Sequence, residues 1–423
     1  MRAVLALFVA FLSLSSQIGQ TDAAPVCGSM WSRRAAVAFP ERSDHISVWW
    51  HDRLWVAGGG NYAANWTLYG DTWTTDANMT AWTLVSPLAA WSPRAYMASA
   101  VVNDVWVTTG GGHCEGEFKT PACPHYGWFG EVWATSDGAE WSLVSSSGQT
   151  TRSGTHNGQG SDGVDAVHGP RLGMRRYGGA STGPSVCTAP VLNRAGEVMF
   201  CPRGGHTLNA VPTAGGGATA LVLAGGMNNS DLFNDVWRSL DGGASWTLIA
   251  APAPWARRAF HASAAIGPTI YISGGATETA SSDTIVNDVW FSADAGATWA
   301  EVTAAAAWSP RLAHTLTAIG RTGSFLLTAG QLAGTDVSDL ATADAWTAKG
   351  NPLAGAWTLA TANTTWPIRS YHVATYIPAP TVGADAQVAV TGGWRADLQA
   401  APPGYRYQYY SDVWATAWEA DCT

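Results

Sequence analysis

The chain has 423 residues, of which 47% are hydrophobic and only 13% are charged, and its formal net charge is −9 at pH 7. The charged share is about half of the roughly 25% found in an average soluble protein. The acidic balance argues against nucleic acid as a partner and against binding to anionic membrane surfaces.

The N-terminal segment predicts a secretory signal peptide covering residues 1–24. Met1 and Arg2 are followed by an apolar run to about Leu14, and then by small and polar residues. The run is short for a membrane span, and no later segment is long enough for one. We therefore expect a secreted protein without membrane insertion, made of a single domain from 25 to 423. Pro25 leaves the cleaved bond open.

Six cysteines and four glycosylation sequons are consistent with secretion. The cysteine positions suggest the pairs Cys27–Cys422, Cys114–Cys123 and Cys187–Cys201, although six cysteines allow fifteen pairings. The asparagines of the sequons are Asn65, Asn78, Asn228 and Asn363.

A short pattern recurs along the rest of the chain. A tryptophan is followed fifteen residues later by a histidine, as in Trp246 and His261, and an arginine such as Arg258 usually precedes that histidine by three residues. Counting by this position predicts seven units at intervals of about 50 to 60 residues, a period typical of propellers. The counted residues are His45, Met97, His156, His206, His261, His314 and His372.

Each unit contains short apolar runs separated by turn residues, which predicts four strands. A diglycine such as Gly274-Gly275 follows the second run, and an Asp-x-Trp such as Asp288 to Trp290 follows the diglycine. This pattern resembles the kelch-type β-propeller. The turn from Ser292 to Trp299 resembles the Asp-box, and the fold resembles the propeller domains of galactose-oxidase-like and sialidase-like proteins.

We therefore predict an all-β fold, a seven-bladed kelch-like β-propeller. The third unit lacks an Asp-x-Trp, so six blades with an insertion at about 145–200 are the alternative. Trp31 lies fourteen residues before His45, where the tryptophan of a fourth strand belongs. The N-terminal strand is therefore expected to complete the last blade and close the ring.

Residues that recur in every blade are expected to be mostly structural. The arginines, including Arg258 and Arg311, either bond within their own blades or bind an anion together with the cluster that contains Arg175 and Arg176. Trp91, Trp255, Trp308 and Trp366 either pack between blades or stack on sugar rings.

Loops that break the repeat are better candidates for a binding site. The loop of the last blade is rich in aromatic residues and arginine, a composition typical of recognition surfaces. A second loop carries His113, Glu115 and His125, which are weak candidates for metal ligands; we predict no metal and no cofactor. The candidates in the last blade are Trp394, Arg395, Tyr405, Arg406 and Tyr407.

These observations favour an extracellular binding or structural protein without enzymatic activity. The expected partner is a glycan or a protein, including further copies of the same chain. The alternative is a secreted carbohydrate-active enzyme of the sialidase, epimerase or lyase type on the same fold. That alternative requires Arg175, Arg258 and Arg311 to converge on one pocket.

Overall fold

The strands of this protein form the blades of a β-propeller. A computed structural model describes residues 28–63, 67–115, 125–151, 191–193, 196–213, 216–228, 231–278, 283–320, 323–332, 341–348, 356–381, 384–397 and 406–418. In these residues the strands form six sheets of four or five strands and three sheets of two strands. None of these residues belongs to a helix long and apolar enough to cross a membrane. The all-β prediction is confirmed.

The first half of the chain builds blades one to three. Neighbouring strands of a blade pair antiparallel because short loops connect them. The strands in chain order are β1 (Ser32–Ala35); in blade one β2 (Ile46–Trp50), β3 (Arg53–Ala57), the small hairpin β4 (Gly60–Asn61) and β5 (Thr67–Leu68), β6 (Thr72–Thr75) and β7 (Thr83–Ser86); in blade two β8 (Ala95–Val102), β9 (Val105–Glu115), β10 (His125–Thr135) and β11 (Ser142–Thr151); the hairpin β12 (Val191–Leu192) and β13 (Val198–Met199); and in blade three β14 (Thr207–Pro212), β15 (Thr219–Ala224), β16 (Val236–Ser239) and β17 (Thr247–Ala250).

The second half builds blades four to six. In blades four and five the innermost strand is split into two pieces that pair with the same neighbour. The strands are, in blade four, β18 (Arg258–Ala259), β19 (Ala262–Ile266), β20 (Thr269–Glu278), β21 (Asp283–Ser292) and β22 (Ala300–Thr303); in blade five, β23 (Arg311–Leu312), β24 (Thr315–Ile319), β25 (Ser324–Leu332), β26 (Ala341–Ala348) and β27 (Trp357–Thr361); and in blade six, β28 (Val373–Ile377), β29 (Ala386–Thr391), the hairpin β30 (Trp394–Asp397) and β31 (Arg406–Tyr409), and β32 (Val413–Trp418).

The prediction of seven blades is wrong, because the described sheets make six. The unit counted at His156 has no four-stranded sheet of its own among the described residues: β11 of blade two ends at Thr151, and the next four-stranded sheet begins at Thr207. The alternative of six blades with an insertion at about 145–200 gives the right number. The spacing from Trp141 to His156 matched the repeat by coincidence, since a spacing along the chain carries no information about strand pairing.

Both ends of the described chain contribute to blade six. Strand β1 pairs antiparallel with β32, with Ser32 opposite Ala415. Trp31 packs edge-to-face on Trp366 with 5.7 Å between ring centroids. The ring itself is closed by the inner strands rather than by β1, since β2 packs beside β28 and Thr375 donates a hydrogen bond to Ser47 at 3.0 Å. In this respect the predicted role of the N-terminal strand is corrected: β1 completes a sheet at its outer edge.

The core lies between the blades. Six clusters of buried apolar side chains each join two neighbouring sheets, as Trp91, Trp106 and Trp141 do between blades one and two. The diglycines make this close approach possible. At Gly274 the backbone has φ +57°, and an added Cβ would lie 2.8 Å from Cε1 of His314 in the next blade. The diglycine therefore marks the place where a histidine of the following blade packs on the backbone.

Candidate functional site

Six arginines occupy equivalent positions, and each is at most 2% exposed. In blade four, Arg258 donates to both carboxylate oxygens of Asp288 at 2.9 and 2.7 Å and to the carbonyl of Gly274 at 2.9 Å. Trp290 donates its indole N–H to the same carboxylate at 2.8 Å. The Asp-x-Trp thus supplies the counter-ion of the arginine. The pairs are Arg42–Asp71, Arg94–Glu131, Arg203–Asp235, Arg258–Asp288, Arg311–Asp344 and Arg369–Asp412.

This pairing determines where the predicted anion-binding arginines lie. Arg258 and Arg311 bond separately, each within its own blade, so they do not converge on a common pocket. Arg175 and Arg176 lie outside the described residues. The tryptophans that precede four of the arginines are 1% exposed and offer no ring face to a sugar. They are Trp91, Trp255, Trp308 and Trp366.

The histidines connect neighbouring blades. His206 shares a hydrogen bond of 2.8 Å with the hydroxyl of Thr109 in blade two. Burial, together with the nearby Arg203, lowers the pKa of His206 to about 3, so the ring is neutral. At the equivalent position of blade two, Met97 packs with Ala57, which has no hydroxyl to offer. The histidines are therefore part of the packing between blades.

The candidates of the last blade lie on the hairpin β30–β31. Trp394 is 2% exposed and packs on Tyr371, with nearly parallel rings and 5.8 Å between centroids. Arg395 is partly exposed and donates to Gln408 at 3.0 Å, while Tyr407 packs edge-to-face on Trp394 at 5.2 Å. Tyr405 lies outside the described residues, and of Arg406 only the backbone is described. The hairpin therefore brings three of the five candidates together.

The weak metal candidates lie where strands β9 and β10 extend beyond the blade. His113 stacks on Phe129 with 4.6 Å between ring centroids. Glu115 and His125 are opposite each other in the strand register, and their side chains are not described. No group of three or more histidine, cysteine or acidic side chains that could hold a metal ion occurs in the described part of the chain.

The predicted disulfides and glycans lie largely outside the described side chains. Among the six cysteines only Cys201 has a described side chain, and it is buried. Asn78 and Asn363 are exposed, and Asn65 lies outside the described residues. Asn228 is buried, and its side-chain oxygen accepts a hydrogen bond from the Asp231 amide at 2.9 Å. Glycosylation of Asn228 stays a prediction that this burial disfavours.

A ring of backbone hydrogen bonds surrounds the propeller axis. The residue just before each described histidine of the repeat, or before Met97, has φ between 51° and 63°. Its amide donates to the carbonyl of the equivalent residue in the preceding blade at 2.8 to 3.1 Å, and the six bonds form a closed circle. The members of this axial ring are Asp44, Tyr96, Gly205, Phe260, Ala313 and Tyr371.

Aromatic side chains pack together over this ring. Tyr96 lies 5.6 Å from Phe260 and 6.4 Å from Tyr371, measured between ring centroids. Gly205 leaves room for this packing, because a Cβ there would meet the ring of Phe260 at 2.9 Å. We call the following residues the axial cluster, and the end of the propeller that carries them the axial face: Asp44, Tyr62, Tyr96, Phe260, Tyr371, Trp394 and Tyr409.

The axial cluster contains one carboxyl group, that of Asp44. It is 9% exposed, and Ser43 donates a hydrogen bond to its Oδ2 at 2.6 Å. Burial raises the pKa of Asp44 to about 8, although the bond from Ser43 acts in the opposite direction. Burial also raises the pKa of Tyr409 well above its usual value, and the nearby Asp44 adds to this rise. Perturbed groups of this kind are concentrated at functional sites.

The sequence interpretation missed the axial ring. It was based on the arginine and histidine positions of the repeat. The axial residue lies between these two positions, directly before the histidine, and played no part in it. A signal was available, since this position changes its chemistry from unit to unit while the arginine two residues before it is the same in all six blades. Asp44, Phe260 and Ala313, for example, occupy one equivalent position.

No protein-family model matches the chain. Among curated proteins, Adagio-like protein 3 from Oryza sativa subsp. japonica is similar: it is 34% identical over 152 residues, which cover 34% of this chain and 22% of that protein. The aligned part therefore spans less than a quarter of the relative's length. The β-propeller architecture and this similarity together suggest a binding or scaffold role.

Proposed function

We propose that this chain is a secreted kelch-type β-propeller that serves as an extracellular binding or scaffold protein and engages a protein partner through its axial face. The diglycines, the paired arginines and the aspartate-containing turns support the kelch type. In the turn of blade four, for example, Asp294 accepts hydrogen bonds from the amide and the hydroxyl of Thr298 at 2.8 and 2.6 Å. The similarity to Adagio-like protein 3 is compatible with this type.

One observation carries the binding role. The repeated charged residues are satisfied inside the blades, while the residues at the axial face differ from blade to blade. In a ring of similar units, a unique site has to be built from positions that differ, and function on a common fold belongs to such sites. Arginine and aromatic residues on the hairpin β30–β31 add the composition that is enriched at protein interfaces.

The binding role is tested with arrays of purified extracellular proteins and of glycans. The double variant Arg395→Ala and Tyr407→Ala is suited to this test, because both side chains are partly exposed. Arg257→Ala, at an exposed position before blade four, is the matched control. We expect a protein ligand that the double variant loses and the control keeps. Binding to glycans alone, or binding unchanged by the double variant, would contradict the proposal.

Secretion and glycosylation are tested separately. Expression of the full chain in a eukaryotic cell should place the protein in the medium, with an N-terminus near residue 25. Enzymatic removal of N-glycans should lower its mass, and Asn78→Gln or Asn363→Gln should remove part of that difference. Retention of the whole chain inside the cell would contradict the extracellular part of the proposal.

A further inference from the structure

We propose that the axial cluster binds an organic ammonium group, a primary or N-methylated amine, with Asp44 as its counter-charge and the surrounding aromatic rings as its walls. This inference rests on the proposed binding function and names the ligand chemistry of the axial face.

The first support is that no cationic side chain among the described residues pairs with Asp44. Three aspartates are buried in the described part of the chain, and two of them, Asp71 and Asp412, form ion pairs with arginines. Asp44 accepts one side-chain hydrogen bond, from Ser43 to Oδ2, and its Oδ1 accepts none from a described residue. A buried carboxylate is costly unless a cation or several donors compensate it. Among the described residues, arginines provide this compensation for Asp71 and Asp412, and for Asp44 the one side-chain donor is Ser43.

The second support is the aromatic surrounding. Asp44 lies in the axial ring between Tyr371 and Tyr96, bonded to each through the backbone at 3.1 Å. Tyr62 stacks on Tyr96 with 6.3 Å between centroids, and Tyr409 lies 6.3 Å from Tyr62. Aromatic faces attract ammonium groups, and aromatic cages are the usual way in which proteins recognise methylated amines.

The composition of the cluster argues against other ligands. An anion would be repelled by Asp44 once its carboxyl ionises, and apolar ring faces offer an anion no hydrogen-bond donor. A divalent metal ion requires several oxygen or nitrogen ligands, and no group of three such side chains occurs in the described residues. A methylated ammonium needs one negative charge and apolar walls, which are the features present.

Ionisation of Asp44 couples binding to pH. Burial raises the pKa of Asp44 to about 8, so the empty site holds a neutral carboxyl near pH 7. A bound cation favours the carboxylate, so binding releases a proton and strengthens as pH rises toward 8. The other titratable or charged groups near Asp44 are the hydroxyls of the axial tyrosines and of Tyr407, the ring of His45, whose pKa burial lowers to about 3, and Arg42, which is paired with Asp71.

The test is calorimetric titration of the full chain with choline and with its neutral isostere 3,3-dimethylbutan-1-ol. We expect choline to bind at least about tenfold more tightly than the alcohol, and Asp44→Asn to abolish this preference. For the wild type, choline affinity should rise up to about tenfold per pH unit below pH 8, and for Asp44→Asn it should be independent of pH. Asp52→Asn, which makes the same change at an exposed aspartate of blade one, is the matched control and should retain choline binding.

Equal affinity for choline and the alcohol, or no binding of either, would overturn the inference, and this comparison needs no variant. Choline binding that survives Asp44→Asn unchanged would overturn it as well. Peptides that contain lysine or trimethyllysine distinguish the source of the amine: tighter binding than choline assigns it to a protein, and weaker binding to a free small molecule. Failure with choline leaves the array result for Arg395→Ala and Tyr407→Ala intact, so the two proposals fail separately.

Discussion

Two positions that lie two residues apart in every unit have opposite characters. The first, occupied by Arg42 in blade one and Arg258 in blade four, keeps its chemistry, and each arginine bonds a carboxylate of its own blade. The second, occupied by Asp44 and Phe260, changes its chemistry, and its six members meet at the axis. The first lies in the same surroundings in every blade, so the same residue satisfies it each time. At the axis the six residues surround one another, so different residues can make one site.

Removal of an arginine's partner should give the largest loss of stability. In Asp288→Ala, Arg258 would remain 0% exposed with its charge unpaired. Such a change typically costs about 3–5 kcal/mol of unfolding free energy, measurable by urea unfolding. Glu301→Ala, at an exposed position of blade four, should change stability by less than about 0.5 kcal/mol. A loss of the same small size for Asp288→Ala would show that the arginine position is not structural.

Substitution of a diglycine residue should give the second-largest loss of stability. In Gly274→Ala the added Cβ would lie 2.7 Å from the Arg311 carbonyl and 2.8 Å from His314, at φ +57°. The combined strain and overpacking should cost about 2–4 kcal/mol. Gly267→Ala has nearly the same φ, +56°, but no atom within 4 Å of the new Cβ, so it isolates the strain of about 1–2 kcal/mol. Equal losses in thermal or urea unfolding would rule out the packing role of the diglycine.

The buried histidines should make the free energy of unfolding depend on pH. The pKa of His206 is lowered to about 3 in the folded chain, so the unfolded chain binds its proton first and stability falls as pH drops from about 6.5 toward 3. His206→Met should remove up to about 1.4 kcal/mol of this loss per pH unit. Urea unfolding between pH 4 and pH 7 measures the slope, and an unchanged slope would contradict the assignment.

The chain itself contains the control for this variant. Met97 of blade two packs with Ala57 of blade one. At the position of Met97 the other blades have a histidine, and most of these histidines have a hydroxyl partner at the position of Ala57. The double variant His206→Met with Thr109→Ala reproduces that pair. It should be at least as stable at pH 7 as His206→Met alone, because no buried hydroxyl is left without its partner.

Substitution of Asp44 at the axial position should change the pH dependence of stability in the opposite direction. At low pH its effect on stability should be the smallest of those described. The pKa of Asp44 is raised to about 8, so the folded chain binds its proton more tightly and the contribution to stability falls as pH rises from about 4 to 8. Asp44→Asn should match the wild type near pH 4 and then gain up to about 1.4 kcal/mol per pH unit. Thermal unfolding over this pH range measures the difference, and a variant that is less stable at every pH would contradict the expectation.

Several features could be predicted because they depend on neighbours along the chain. Apolar runs and diglycines indicated strands, and the position of Trp31 matched its observed pairing with Trp366 in blade six. The number of blades could not be derived in the same way. The count relied on a spacing, and only strand pairing separates a blade from an insertion that happens to have the same spacing.

The candidate site was predicted in part for a related reason. The hairpin that carries Trp394, Arg395 and Tyr407 differs from the repeat in length and composition, so it was visible in the sequence. Asp44 and Tyr371 are far apart in the chain and look ordinary in their own units. They become neighbours only when the ring closes and the amide of Asp44 bonds the carbonyl of Tyr371.

The sequence alone determined the all-β class and the repeated unit, since these follow from local patterns of apolar, turn and glycine residues. The tertiary structure decided that there are six blades, that each of the six buried arginines is paired by the aspartate or glutamate of its own blade, and that the carboxyl of Asp44, which no described cation pairs, lies among aromatic rings at the axis. Contacts between residues far apart in the chain depend on which strands pair and on how the ring closes, and a one-dimensional pattern does not contain that information.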